Sequence, residues 1–290
     1  MRIGTSRTSP IVPNVLQSAE IKVIDLNSIA SLRAGVRGVT AIIHLAALNA
    51  GECAVDPERA LFVNTLGTLK LIQTALDEGV DRVIYFSTAH VYGAPLRGKL
   101  DELSVTRPEH PYSITHRSAE DYILQASDAG RLQGTVLRLS NAVGPPVSAD
   151  SNCWMLLTND LSRQAVESNK LVLHSSRHQQ RNFIAIGDVV GFVEQILESK
   201  NDQFTSQIVN LGGLKSFTTL EMAELIRDRC WAILRQRPTL VISDVVTDCN
   251  NERLDFRIDK ARQLGFSPNI NIESELDATL LMSRDHFSQC

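Results

Sequence analysis

Tyr112 and His116 stand four residues apart in the stretch HPYSITHRSAE, residues 110 to 120. On a helix that spacing places a phenol and an imidazole on one face. The pair could be a proton-transfer device, or simply two side chains sharing a surface. Other polar or small residues fall where apolar runs end: Asp25, Ala47, Thr88 with Tyr92, and Asn141. Thr88 reads either as a hydroxyl that takes part in chemistry or as a strand-end residue capping a turn. His44 and His90 have no metal-like companions and read as core or rim histidines, and no metal site is expected.

The elements that must position these residues follow a regular rhythm. Strand-like runs occur at IKVIDL, TAIIHLAA, RVIYFST and GTVLRLS, with helix-length segments at PERALFVNTLGTLKLIQTALDEG and SITHRSAEDYILQASDAG. Strands alternating with helices imply crossover units and a parallel, doubly wound α/β sheet. Such a sheet binds ligands beyond the carboxyl ends of its strands, where the polar residues above lie. After NAVGPP the alternation breaks up, so the expected division is a dinucleotide-type domain over 1–145 and a smaller substrate-binding region over 146–290.

The chain has 290 residues, 43% of them hydrophobic, and a formal net charge of -4. It can bury a sizeable core and shows no basic footprint for nucleic acid. The longest apolar run is interrupted by His44 and is too short to span a bilayer. Five scattered cysteines without paired spacing fit reduced thiols, and the expected location is the cytoplasm.

Several motifs, in order, resemble those of the extended short-chain dehydrogenase/reductases, in particular the nucleotide-sugar epimerases and dehydratases: IHLAA, FVNTLGT, FSTAHVYG, LRLSNAVGPP, QRNFIAIGDVV, VNLGG and KARQLGFSP. The resemblance implies NAD or NADP as cofactor, a nucleotide-sugar substrate and a possible homodimer through the long helix and the SITHRSAEDYIL helix. It implies Thr88 as the hydroxyl that bonds the reacting sugar hydroxyl and Tyr112 as the acid/base. Asp25 and Leu26 would meet the adenine. Leu45, Ala46, Ala47 and Asn64 would line the cofactor trough, and Asn141 and Arg181 would face the substrate diphosphate. Epimerase or 4-reductase chemistry is expected over 4,6-dehydration, because Ala89 and His90 follow Thr88 where dehydratases usually carry Asp-Glu. The alternative is a non-catalytic dinucleotide-binding or regulatory protein of the same fold, or an inactive fragment.

Two departures stand out. The family opens on a strand, a glycine-rich turn and a helix that holds pyrophosphate. Here MRIGTSRTSP instead resembles the end of the family's second strand, with Arg7 placed to read the adenosine ribose or to act as an exposed surface residue. The expectation is that a central strand is missing and that Met1 lies inside a longer reading frame or a fragment. The second departure is His116, which stands where the family has lysine. Three readings are open: His116 bonds the nicotinamide ribose while the oxidised cofactor's charge activates Tyr112; a nearby carboxylate keeps His116 charged; or the pair is impaired. The first is the expectation.

Overall fold

A computed structural model describes residues 2–5, 17–242 and 252–288. The described residues fall into two units that interleave along the chain. The first comprises Met1–Ala94, Ser104–Leu139 and Gln195–Val209, and the second Pro95–Leu103, Ser140–Glu194 and Asn210–Cys290. The division expected at residue 145 treats the units as consecutive, whereas the chain returns to the first unit at Gln195.

In the first unit, strand β1 (Arg2–Thr5) pairs in parallel with β2 (Glu20–Val23). Helix α1 (Ile29–Val36) follows, capped by Ser28, whose side chain accepts from the Ser31 N–H. The expected helices did not include this one. Its eight residues contain only a short apolar stripe, Leu32, Gly35 and Val36, too little for periodicity to register. Gly38, with φ +72°, then turns the chain into strand β3 (Ala41–His44). Thus the glycine pair 35/38 serves packing and a turn before a strand.

β3 pairs in parallel with β4 (Arg82–Thr88), which pairs in parallel with Gln133–Leu139; Gln207–Leu211 completes the four-stranded sheet. The fold is Rossmann-like α/β with a parallel sheet. Among the described residues β1 pairs only with β2, and β3 only with β4, so the strands form two separate sheets. On β3 and just after it, Ile43 and Leu45 are 41% and 67% exposed.

Between β3 and β4 run α2 (Ala50–Val55), α3 (Pro57–Ala60), a π-helical segment (Leu61–Leu66) and α4 (Gly67–Asp77). The helix-length segment was legible in the sequence; the π turn inside it was not. α5 (Pro111–Asp128) precedes Gln133–Leu139. β4 is buried almost throughout, as a central parallel strand must be. Its residues Val83 and Tyr85 pack with Ile72 of α4, Ala119, Ile123 and Ala126 of α5, and Val136. The larger aliphatic side chains among these, Ile72, Val83, Ile123 and Val136, each contribute roughly 1.5–3 kcal/mol on burial.

The second unit contains a three-stranded sheet of Asn141–Val143, Gln180–Ala185 and Ser216–Thr218, and a parallel pair of Lys170–Leu173 with Thr239–Ile242. Helices Leu157–Ser168, Thr219–Leu234 and Ile272–Phe287 enclose a core that includes Leu161, Leu171, Phe183, Met222 and Leu276. Asp188 accepts from the backbone N–H groups of Asn269 and Ile270. Among the described residues, no helix is long and apolar enough to cross a membrane.

Candidate active site

Thr88 closes β4, and its hydroxyl oxygen accepts the His90 N–H at 3.2 Å, so it does cap a turn. It also stands beside the Tyr112 hydroxyl, close enough to affect its proton, which has a second consequence for chemistry. Tyr112 sits in the first turn of α5 because His110 caps that helix: the His110 Nδ1 accepts the Tyr112 N–H at 3.1 Å, and Pro111 fills a position whose N–H would have no helical partner. Burial and the neighbouring Cys53 push the Tyr112 hydroxyl up to about 12, while the Thr88 hydroxyl acts in the opposite direction by favouring the phenolate. At neutral pH Tyr112 is therefore a phenol, a proton donor in its resting state.

His116 lies one turn on, with its ring centroid 4.4 Å from that of Tyr112. Its Nδ1 is 2.7 Å from the hydroxyl of Tyr85 on β4. Its Nε2 is buried and has no hydrogen-bond partner. Burial, with a smaller contribution from His44, lowers His116 to about 4. This corrects the reading in which a carboxylate keeps the ring charged: no acidic group offsets burial, and His116 is neutral at pH 7. It therefore cannot lower the tyrosine by charge, as a lysine would.

His44 at the end of β3 stacks at a tilt on Tyr85, 5.4 Å between centroids, and its Nε2 is 2.8 Å from the Thr68 hydroxyl. Since Thr68 gives its hydrogen to the Asn64 carbonyl at 2.6 Å, His44 must be the donor in that contact. Burial lowers His44 to about 4 as well. The sign of the pH dependence follows. Unfolded imidazoles take up a proton near pH 6.5, whereas these two folded rings resist until near pH 4, so the unfolded state binds more protons in between. Stability is expected to fall as pH drops from about 6.5 to about 4, by up to roughly 3 kcal/mol per ring. Urea unfolding across that window checks this, and His44→Gln with His116→Gln should flatten the slope.

The π-helical segment sets Asn64 into this assembly. Its Oδ1 accepts the Leu48 N–H at 2.8 Å, and its Nδ2 donates to the Thr115 hydroxyl at 3.0 Å and the Cys53 sulfur at 3.5 Å. Asn64 is fully buried, and its amide is spent on holding the segment after β3 and the first turns of α5 together. π turns recur at functional sites because they redirect a side chain that a regular helix would leave elsewhere.

Below the Thr88–Tyr112 pair runs a buried ionic network. Glu120 of α5 accepts from Ser87 at 2.5 Å and from Arg138 at 2.7 and 3.0 Å, and Arg138 also donates to the Tyr92 hydroxyl at 3.0 Å. It joins β4, the 89–92 turn, α5 and Gln133–Leu139.

The other expected contacts are distributed as follows. Asp25 is exposed, with its carboxylate accepting the Asn27 N–H at 2.8 Å. Leu26 is half-buried against the cluster around Leu32 and Leu71. Leu45, Ala46 and Ala47 form an exposed stretch without regular structure after β3. In the second unit, the Asn141 Nδ2 donates to the Asn182 carbonyl at 2.9 Å, and Asn141 pairs opposite Phe183, two residues from Arg181. Burial lowers the affinity of Arg181 for its proton, and the Gln179 side chain accepts from it at 3.4 Å. Arg7 lies outside the described residues. The structure thus brings Thr88, Tyr112, His116 and Asn64 together; Tyr85, Glu120 and Arg138 join them without having been expected. A buried parallel strand carrying Tyr85 and Ser87 at alternate positions, and charges inside apolar elements, were the available signals. No group of three or more metal-ligating side chains occurs among the described residues.

A Rossmann-like parallel α/β sheet, with Thr88 at the end of β4 and Tyr112 in the first turn of α5, sets the class of fold. Residues 3–212 match the model of the NAD dependent epimerase/dehydratase family, and the chain belongs to that family. It is thus a member of an NAD-dependent enzyme family. It is 26% identical over 258 residues to the dTDP-D-glucose 4,6-dehydratase of Mus musculus, covering 87% of this chain and 70% of that one. It is 26% identical over 249 residues to the GDP-6-deoxy-D-mannose reductase of Pseudomonas aeruginosa, covering 83% and 79%. Among solved structures, a UDP-glucose 4-epimerase from Thermotoga maritima superposes with a TM-score of 0.80 at 20% identity, over 98% of this chain and 90% of that chain.

Proposed function

We propose that the chain binds NAD or NADP and acts on a nucleotide-activated sugar as an epimerase or 4-reductase, with Thr88 and Tyr112 handling the proton at a ring hydroxyl. The observation that carries this reading is the placement of Thr88 at the end of β4 beside Tyr112 in the first turn of α5, where the Thr88 hydroxyl favours the Tyr112 phenolate. The dinucleotide, when bound, would accept or return a hydride at the sugar carbon. Tyr112, neutral at pH 7, is ready to give a proton to a developing alkoxide, and Thr88 stands beside it to favour the phenolate left behind. The buried Nε2 of His116, lacking a partner, fits the oxygen of a bound group, and the exposed Leu45–Ala47 stretch gives a dinucleotide small side chains to lie against. Asn141 and Arg181 are proposed to meet the substrate diphosphate, Arg181 through its forked donors, and Asp25, Leu26 and Arg7 the adenosine half.

The dehydratase outcome is disfavoured at Ala89 and His90. A methyl group follows Thr88, buried at 2% exposure, and offers no acid for removing water from a sugar. The competing reading is a dinucleotide-binding protein without turnover, and the neutrality of His116 is what favours it.

Dinucleotide binding followed by fluorescence, with a panel of nucleotide sugars, separates the two. The expected result is micromolar binding of NAD or NADP and sugar-dependent change in reduced cofactor. Binding without response to any sugar would establish the competing reading, and absence of binding would remove both. A homodimer through the 61–66 and α5 faces belongs to the same proposal: Leu61, Phe62 and Ile114 are 50%, 55% and 43% exposed. Sedimentation as a monomer at micromolar concentration would remove that part.

A further inference from the structure

We propose that Tyr85 is a positioning residue which fixes the His116 imidazole in the tautomer carrying its hydrogen on Nε2, so that His116 presents a neutral donor to an acceptor oxygen of the bound dinucleotide. The inference rests on the dinucleotide reading for its acceptor, but the tautomer itself rests on geometry alone.

The Tyr85 hydroxyl and the His116 Nδ1 are 2.7 Å apart, both buried. Two arrangements are open to such a pair. If Nδ1 carried the hydrogen and donated to the phenol oxygen, the Tyr85 hydrogen would be left without an acceptor. If Tyr85 donates instead, its only hydrogen is used and Nδ1 is satisfied. The first arrangement orphans two buried groups, the Tyr85 hydrogen and the Nε2 lone pair, whereas the second orphans only the Nε2 hydrogen, so the second is the less costly one. The ring hydrogen then resides on Nε2, the one polar atom of this pair without a partner.

The rings are held from several sides. Tyr85 and His116 stack with centroids 5.8 Å apart, His44 packs at a tilt on Tyr85, and Tyr112 meets His116 edge-on. Tyr85 is 2% exposed and stands two residues before Ser87 on the same face of β4, the face that meets α5. The phenol cannot rotate away to water, and the imidazole cannot flip without leaving Nδ1 or the phenol unpaired. A histidine that can serve only as a neutral donor has one donor to offer, and the hydroxyl on β4 decides where it lies.

The test combines two readouts. Nitrogen-15 NMR of histidine-labelled protein, with the His116 signal assigned by its loss in His116→Ala, reports which ring nitrogen carries the hydrogen. Dissociation constants for NAD and NADH are measured in wild type, Tyr85→Phe, His116→Ala and the double variant. The expected result is an Nε2-protonated ring in wild type and a mixed tautomer in Tyr85→Phe. Binding should weaken about tenfold in Tyr85→Phe but change less than twofold when the same substitution is made in His116→Ala. An Nδ1-protonated ring in wild type, or an unchanged tautomer in Tyr85→Phe, overturns the proposal, as does equal weakening on both backgrounds. The wild-type spectrum decides even if Tyr85→Phe does not fold. If wild type binds no dinucleotide, the functional reading falls while the NMR result still decides the tautomer.

Discussion

Tyr112→Phe is expected to lower turnover of the responsive nucleotide sugar by about 10²- to 10⁴-fold, the usual range for removing a positioned acid or base. Dinucleotide affinity should stay within a few-fold, because the ring still packs against the Leu48, Cys53 and Ala60 cluster. Stability should fall by no more than about 1 kcal/mol, the scale of one hydroxyl's net hydrogen bonding. The effect should be on kcat more than on KM, since the phenol acts when charge develops on the substrate oxygen. Thr88→Ala should fall in the same direction by less, because it leaves Tyr112 in place. Equal kcat for Tyr112→Phe and wild type would end the proton-transfer role.

The fold could be read from the sequence where signals were long and repetitive. RVIYFST became β4 residue for residue, and the helix expected from Ser113 runs over 111–128, two residues earlier, with His110 as its cap. α1 escaped because eight residues hold little more than two turns. The π turn escaped because an added residue in a helix leaves no composition signal; only Asn64 in an apolar stretch hinted at it, and that hint has several explanations. In the site, Thr88 and Tyr112 were legible through their motifs, but their closeness depends on β4 and α5 packing together across 24 residues of sequence. Tyr85 was invisible as a partner of His116 because strand alternation says which face a side chain takes and not which helix residue it meets. Its meaning appears only once α5 lies on that face.

The same packing makes Arg138 the residue whose loss should destabilise the first unit most. The guanidinium is 2% and Glu120 0% exposed, and the two are joined by paired bonds. Burial opposes the Arg138 charge, but the Glu120 bonds and charge more than offset it and hold the guanidinium above its ordinary range. Arg138→Met would leave the Glu120 carboxylate in the interior with Ser87 as its remaining close donor and Arg117 at 3.8 Å. Breaking one partner of such a pair costs about 3–5 kcal/mol, most of it the uncompensated charge left behind. The expected result is a fall of that size in urea unfolding with an unchanged dependence on denaturant. Glu120→Leu made together with Arg138→Met should recover most of the loss, because a well-packed apolar pair removes both buried charges. Turnover should not recover with it. Ser87 would then have lost Glu120 and Tyr92 its bond from Arg138, and both residues belong with Thr88 to FSTAHVYG. If the double variant regains activity along with stability, the network is only a support for the fold; if stability returns alone, it also sets the geometry of the Thr88–Tyr112 pair.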